Sequence, residues 1–129
     1  MSRRTTHAWL IPGLVLAGLL GCGRTAKQAD ATTARDTLNQ ALAAWKKGDS
    51  PEGLQKASPA LTVVDRQWQQ GIRLLDYQLE GDAEPNGFDV QLSVKLSLQD
   101  RAGKKFKEKA AYNVSTSPAL VIVRSEEPG

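Results

Sequence analysis

The amino-acid sequence predicts an α+β domain in which helices precede an antiparallel sheet. Residues 32–47 place apolar side chains at three- and four-residue steps, which is typical of an amphipathic helix. Residues 88–99 instead alternate apolar and polar side chains without a break, which is typical of a strand with one buried face. We therefore expect N-terminal helices packed on a curved antiparallel sheet of about four strands.

The end of the first helix and the start of a second carry capping signals. Lys46 and Lys47 precede Gly48, as expected where cations and a left-handed glycine end a helix. Ser50 then stands as an N-cap before a proline, which predicts a short helix over residues 50–57. Residues 60–71 are ambiguous between irregular coil and a helical turn.

The strand region is expected to form a meander. A first strand over residues 72–80 leads into a turn-rich loop at 81–87, and residues 88–115 read as one long hairpin closed by a tight turn at 100–103. The last strand, residues 120–123, is apolar at consecutive positions. Such a strand is expected to be covered on both faces.

The first 22 residues have the composition of an export signal. Arg3 and Arg4 precede an apolar stretch over residues 10–20, which is about half the length of the roughly 20-residue membrane span. The stretch ends in the tetrapeptide Leu19-Leu20-Gly21-Cys22, which resembles the lipobox of bacterial lipoproteins. The resemblance implies cleavage between Gly21 and Cys22, a diacylglyceryl thioether on Cys22, and acylation of its amino group, for example with palmitate. Several acyl chains would anchor the protein stably in a membrane.

This interpretation divides the chain into four parts. They are a lipoprotein signal peptide (1–21), the lipidated cysteine with a flexible tether (22–31), a single α+β domain (32–124) and a flexible tail (125–129). The expected location is extracytoplasmic and membrane-anchored. Because Gly23 rather than Asp follows the cysteine, a host with two membranes would place the protein on the periplasmic side of the outer membrane.

The mature chain would be close to electrically neutral. Of the 17 Lys and Arg residues, two fall in the signal peptide, which leaves 15 against 14 Asp and Glu. No electrostatic partner of the whole protein is therefore implied. The single cysteine excludes an intramolecular disulfide, so a packed core has to stabilise the domain.

The order of elements is similar to that of the nuclear transport factor 2-like superfamily, which shares a cystatin-like topology. In that fold, N-terminal helices pack into a curved, cone-like antiparallel sheet, and the similarity spans residues 32–124. It rests on element order and not on a motif, and many members have longer helices and a deeper pocket. The alternative is a plain meander with helices on one side and no pocket.

Most catalytic chemistries are missing from the mature chain. The lone His7 belongs to the signal peptide, so no histidine or free thiol remains for a nucleophilic site or a His- or Cys-based metal site. Gly-rich nucleotide loops are also missing. No catalytic residue, metal or cofactor is assigned.

The fold resemblance nevertheless implies an enzymatic alternative. Ketosteroid-isomerase-like enzymes of that fold use an acidic base and a hydroxyl donor in an apolar pocket. The candidates here are Asp65 or Asp76 as the base and Tyr77 or Tyr112 as the donor. Strand alternation sets Asp76 and Tyr77 on opposite faces unless a bulge intervenes.

Two groups of residues are candidates for a ligand or partner surface. Trp45 lies at helical spacing with Leu38 and is expected to anchor the first helix, whereas Trp68 either packs on the sheet edge or lines an open groove. The cationic candidates share one face of the long hairpin and are Lys95, Lys105, Lys107 and Lys109. They could meet anionic headgroups or cell-wall polymers, or they could simply keep an exposed sheet soluble.

Together these observations predict a cell-envelope lipoprotein with a small non-enzymatic binding domain. Its candidate surface residues are Trp68, Tyr77, Tyr112, Lys95, Lys105, Lys107 and Lys109. The expected partners are the membrane, through the lipid anchor, and an envelope protein or an anionic surface. Nucleic acid is not expected, because the cationic face lacks interleaved aromatic residues. The alternative is a small-molecule pocket protein or a ketosteroid-isomerase-like enzyme.

Overall fold

The computed structural model describes residues 28–125, and within them the chain forms three helices and one five-stranded sheet. In chain order these are α1 (Ala31–Lys47), α2 (Pro51–Gln55), β1 (Leu61–Val64), α3 (Arg66–Gln69), β2 (Arg73–Asn86), β3 (Asp89–Gln99), β4 (Lys105–Ser115) and β5 (Leu120–Arg124). The predicted signal peptide, Cys22, most of the predicted tether and the last four residues lie outside the described part. None of these helices is long and apolar enough to cross a membrane.

The sheet is mixed, with the spatial order β1-β5-β4-β3-β2. Strands β2 to β5 form the expected antiparallel meander, but β1 joins β5 in parallel, with Leu61 opposite Leu120 and Val64 opposite Val123. The α+β class is confirmed, while the sheet has one strand more than expected and is not purely antiparallel. With four residues between Ala60 and Asp65, β1 is too short for alternation to reveal it in the sequence.

Strand β2 is longer than the sequence indicated. The loop expected at residues 81–87 is almost entirely strand, because β2 runs to Asn86. A register shift between Glu80 and Glu84 takes up the additional residues, and Gly81 lies there with a φ of +68°. A bulge of this kind lets a turn-like sequence remain within a sheet, since unpaired residues leave the ladder without ending the strand.

One face of the sheet packs against α1. The buried residues of this helix follow the helical period and are Ala34, Thr37, Leu38, Ala41, Leu42, Ala44 and Trp45. Opposite them, β3 buries alternate residues from Val90 to Leu98, and each fully buried leucine contributes roughly 1.5–3 kcal/mol. Asp30 caps the start of α1 by accepting the N–H of Thr33, so the helix begins one residue before the expected position.

The other face of the sheet is open within residues 28–125. In β5, Ile122 is fully buried, but its neighbour Val123 is 37% exposed and the paired Val64 of β1 is 46% exposed. The expectation that the last strand is covered on both faces is therefore wrong for the described part of the chain. The apolar run reflects a strand with one buried face whose outward residues are also aliphatic.

Packing begins before residue 32, at the tip of the β2–β3 hairpin. Ala29 is 4% exposed, and its N–H donates to the carbonyl of Phe88 at 2.8 Å. The side-chain amide of Gln28 donates to the carbonyl of Asp89 at 3.1 Å. The chain therefore enters the domain beside this turn.

Candidate functional site

The acid and the hydroxyl considered for catalysis meet in the structure. Asp65 follows β1 and Tyr112 lies in β4, and the tyrosine hydroxyl donates to the carboxylate at 2.6 Å. Both side chains are only 1% exposed. Burial, and then the adjacent negative charge of Asp65, raise the pKa of Tyr112 well above its ordinary value, so this hydroxyl stays protonated.

The same carboxylate is fully occupied by structural partners. Its second oxygen accepts the backbone N–H of Gln67 at 3.0 Å, which makes Asp65 the N-cap of α3, and it lies 3.4 Å from the guanidinium of Arg124. Arg124 also binds the side chains of Gln67 and Glu108. We call these five residues, Asp65, Gln67, Glu108, Tyr112 and Arg124, the Asp65 network. Each of them has a hydrogen-bonded partner inside it, as buried polar groups require.

Tyr77 and Asp76 do not come together. A register shift between Leu74 and Asp76 marks a bulge at this point in β2, which the strand alternation did not predict. After it, Tyr77 pairs with Leu96 on the core face and is half-buried, while Asp76 pairs with Ser97 on the open face. The bulge shifts which residues face the core, but two consecutive residues still point to opposite sides.

The two tryptophans of the described chain form a stacked pair. The rings of Trp45 and Trp68 lie 5.2 Å apart between centroids and 9° from parallel. Their indole N–H groups donate to the carbonyls of Ile72 and Asp49, each at 2.9 Å. Trp45 is buried, as the helical spacing indicated, and Trp68 packs beside it while bordering a cleft of about 300 Å³ at the end of α1. Because both rings are less than 7% exposed, little of either ring is available for stacking on a ligand.

A groove on the open face of the sheet brings the cationic residues together. It has a volume of about 460 Å³ and crosses β2, β3 and β4. Its open-face residues are Asp76, Gln78, Lys95, Ser97, Lys107 and Lys109, and Tyr77, Leu96 and Glu108 alternate with them along the strands. We call this feature the lysine groove. Lys105 lies further along the same face of β4, opposite Gln99.

The charges of the lysine groove are only partly balanced. Lys95 and Lys109 are directly opposite each other in neighbouring strands, an arrangement that is repulsive by itself. The carboxylate of Glu80 lies 3.4 Å from the ammonium of Lys95 and 3.7 Å from that of Lys109, which offsets this repulsion. Within residues 28–125, neither Lys105 nor Lys107 forms an ion pair. Two further carboxylates border the groove, and each is paired with a cation from outside it: Asp76 with Lys46 at 3.5 Å, and Glu108 with Arg124. With these pairs counted, an excess of positive charge remains at the groove.

The predicted surface residues thus separate into two places. Lys95, Lys107, Lys109 and Tyr77 border the lysine groove, while Trp68 and Tyr112 belong to the packed helix side of the sheet. Neither the groove nor the tryptophan cleft is lined by Asp65 or Tyr112. No three His, Cys, Asp or Glu side chains of the described chain are grouped so as to hold a metal ion.

The sequence reasoning missed Glu108 and Arg124. Both carried a readable signal, since Glu108 stands at the inward parity between Phe106 and Ala110, and Arg124 follows Ile122 by two residues. A charge at an inward position of a strand calls for a buried partner. That partner is provided by β1 and α3, which the sequence did not reveal.

Comparison with known proteins provides no relative from which to transfer a function. No family model matches the chain, and searches of curated proteins and of solved structures return no match.

Proposed function

We propose that this protein is a membrane-anchored lipoprotein of a bacterial cell envelope, whose domain binds an anionic partner without catalysing a reaction. The tetrapeptide Leu19-Leu20-Gly21-Cys22 supports the anchoring. The lysine groove supports the binding role and is the observation that carries it. It combines three lysines, an open sheet face and a volume sufficient for a small anionic group or the side chains of an acidic segment.

The groove is suited to a weak, charge-guided contact. Its lysines are largely exposed, with 59% of the side chain of Lys95 and 74% of that of Lys109 open to solvent. Exposed charges contribute modestly to affinity, about 0–1 kcal/mol each, and are screened by salt. A partner with several carboxylates or phosphates is therefore required for useful binding, and envelope polymers and acidic protein surfaces carry such repeats.

Two charge changes of opposite sign test the groove. We expect Lys107→Gln to weaken binding of fluorescent polyglutamate by about two- to fivefold, because it removes a cation that has no ion-pair partner among residues 28–125. Glu80→Gln is expected to strengthen binding by a similar factor, because it releases Lys95 and Lys109 from their carboxylate. Fluorescence anisotropy of detergent-solubilised lipidated protein at low salt measures both.

The matched control is Lys56→Gln, which removes a lysine at the C-cap of α2, away from the groove. It changes net charge as Lys107→Gln does. Equal weakening by Lys56→Gln and Lys107→Gln would show that binding follows net charge and would contradict the assignment of the groove.

The anchor is tested separately by Cys22→Ser. We expect the variant to accumulate as an uncleaved precursor or as soluble protein, because the thioether cannot form on serine. Fractionation of cell membranes with an anti-protein blot measures the change. Normal processing together with unchanged membrane attachment would contradict the lipoprotein assignment.

The enzymatic alternative receives less support. Asp65 and Tyr112 are of the residue types that a ketosteroid-isomerase-like site needs, and they lie 2.6 Å apart. A general base must however reach its substrate, and both groups are buried and engaged with Arg124 and the start of α3. A nuclear transport factor 2-like cone is likewise a proposal, supported by helices that precede a long antiparallel meander.

A further inference from the structure

We propose that the tip of the β2–β3 hairpin, with Phe88 at its turn, contacts the lipid bilayer to which Cys22 anchors the protein. The proposal rests on the lipoprotein assignment made above. It adds an orientation, in which this hairpin meets the membrane and the lysine groove lies about 20 Å further along the sheet. The proposed contact is between the exposed ring of Phe88 and the interfacial region of the bilayer.

Phe88 is the most exposed of the large apolar side chains in the described chain. It is 64% exposed, compared with 46% for Val64 and 37% for Val123. The ring stands in the two-residue turn between the paired Asn86 and Asp89. Its backbone is held in place, because the carbonyl of Phe88 accepts the N–H of Ala29 at 2.8 Å. The turn therefore presents an apolar ring on an ordered backbone.

The position of the chain entry links this turn to the anchor. Gln28 is the first described residue, and its side chain is bonded to the carbonyl of Asp89 in the same hairpin. Cys22 precedes Gln28 by six residues, which span at most about 20 Å when fully extended. With the few ångströms between Gln28 and the turn added, residue 22 lies within about 25 Å of the hairpin tip, whatever path the intervening chain takes.

The lysine groove lies further along the sheet. Lys95 is six residues beyond Asp89 in β3, which corresponds to about 20 Å along the strand. The turn at residues 100–104 lies at the far end of β3, about 35 Å from the tip. A domain that rests on the tip of β2–β3 therefore presents the groove to the aqueous space, where a soluble or wall-bound partner can reach it.

The charges near the tip select the kind of membrane surface. Asp82, Glu84 and Asp89 lie around the bulge and turn of this hairpin, so the tip is acidic. Carboxylates are repelled by anionic headgroups, whereas a phenylalanine ring enters a zwitterionic interface readily. Contact is therefore expected to be stronger on zwitterionic than on anionic bilayers, and the difference is expected to be largest at low ionic strength.

A fluorescent label beside the retained ring tests the contact. The lipidated Asn86→Cys variant has one free thiol, because the thioether occupies the sulfur of Cys22, the only cysteine of the natural chain. The thiol is labelled with a nitrobenzoxadiazole maleimide, and the protein is reconstituted in phosphatidylcholine and phosphatidylethanolamine vesicles containing shallow nitroxide lipids. The matched control carries the label at Ala102→Cys, in the turn at the opposite end of the sheet.

We expect the label at position 86 to be quenched at least threefold more than the label at position 102. Adding Phe88→Ser to the Asn86→Cys variant is expected to abolish this difference, because the ring drives the contact. Circular dichroism of the exposed-site variants establishes that they are folded. Equal quenching at the two positions, or a difference that persists after Phe88→Ser, would overturn the proposal.

The mass of the labelled protein shows how many labels each chain carries. It therefore distinguishes a wrong orientation of the hairpin from a missing lipid anchor on Cys22. One label per chain together with vesicle association shows that Cys22 is acylated, and equal quenching then overturns only the orientation. Two labels per chain without vesicle association would show that Cys22 is a free thiol. That result would overturn both the lipoprotein assignment and the orientation.

Discussion

Asp65 connects three elements through one carboxylate. It ends β1, caps α3 and accepts the hydroxyl of Tyr112 from β4. A buried carboxylate with so many donors is costly to leave unpaired, since removing one partner of a buried charge removes a hydrogen bond worth about 1.5–3 kcal/mol. The network is therefore a structural joint between the parallel edge of the sheet and its centre.

Tyr112→Phe tests this joint. We expect the free energy of unfolding to fall by about 1.5–3 kcal/mol at pH 7, because the hydrogen bond to the charged Asp65 is lost from a buried site. Denaturant unfolding, followed by tryptophan fluorescence, measures the change. A loss smaller than about 0.5 kcal/mol would contradict a stabilising role for this bond.

The hydroxyl that this variant removes gives the wild-type protein a pH dependence of known sign. The folded state raises the pKa of Tyr112, so above the unfolded value of about 10 the unfolded chain loses a proton that the folded chain keeps. This group therefore stabilises the fold fully below pH 10, and stability falls above it by up to about 1.4 kcal/mol per pH unit. The difference between wild type and Tyr112→Phe is expected to shrink between pH 10 and 11. A constant difference would contradict the raised pKa.

At the level of single residues, the sequence predicted which face of a strand or helix a side chain lies on. It did not predict which side chains bind one another in the Asp65 network. Alternation placed the lysines of the long hairpin on one face, and the helical period placed Trp45 in the core. The contact between Asp65 and Arg124 joins residues 59 apart, through a parallel strand pair that no local pattern encodes. The identities of both residues were visible, but their meeting depends on topology.

At the scale of elements, the end of α1 and the start of α2 were the helix boundaries that the sequence predicted most directly. Gly48 ends α1 in the left-handed conformation, with φ +101° and its N–H bonded to the last turn. Ser50 caps α2 by accepting the N–H of Gly53. These ends are set by local chemistry, which is why Lys46, Lys47 and the Ser-Pro pair predicted them correctly.

Two glycine-to-alanine changes are expected to act in opposite directions. Gly48→Ala should destabilise the fold by about 1–2 kcal/mol, because an L side chain is strained at this positive φ even though nothing lies within 4 Å of the added carbon. Gly53→Ala should stabilise it by about 0.5 kcal/mol, because the helical site is open except for the Ser50 oxygen at 3.7 Å. Thermal unfolding of the two variants beside wild type measures both signs. Destabilisation of equal size by the two changes would contradict the role given to the left-handed cap.

Strands were predictable in proportion to their length and alternation. Strands β3 and β4 each have 11 residues, so the alternation repeats often enough to show which side chains face the core. The four-residue β1 offers only two inward positions, Leu61 and Val63. In β2, the residues around Gly81 have turn propensity, and pairing with β3 overrides it. For β1 and the end of β2, pairing with neighbouring strands therefore determines the secondary structure, and local propensity does not.

For the molecule as a whole, helices cover one face of the sheet and leave the other open in the described part. The covered face holds the core and the Asp65 network, while the open face holds the lysine groove and the exposed valines of β1 and β5. The core and the proposed binding surface are thus separated by one layer of strands. Changes of charge in the groove can therefore alter binding with little effect on the core.

This arrangement predicts a gradient of local stability. The centre of the sheet, β3, is paired on both sides and buries Leu92, Val94, Leu96 and Leu98 to 1% exposure or less. Helix α2 has no buried residue, and β1 is a short edge strand. In native-state hydrogen exchange, we expect amides of β3 and the neighbouring part of β4 to exchange only through global unfolding, and amides of α2 to exchange first.

Mass spectrometry of peptic fragments or NMR at increasing denaturant distinguishes these classes. If α2 opened as a separate unit, its exchange would be insensitive to denaturant, while that of β3 would track the free energy of global unfolding. Tyr112→Phe should then accelerate exchange in β1 and α3 more than in β2, because the lost bond joins Asp65 to the sheet at that edge. Uniform acceleration throughout the domain would show that the network stabilises only the whole fold, and not the parallel edge in particular.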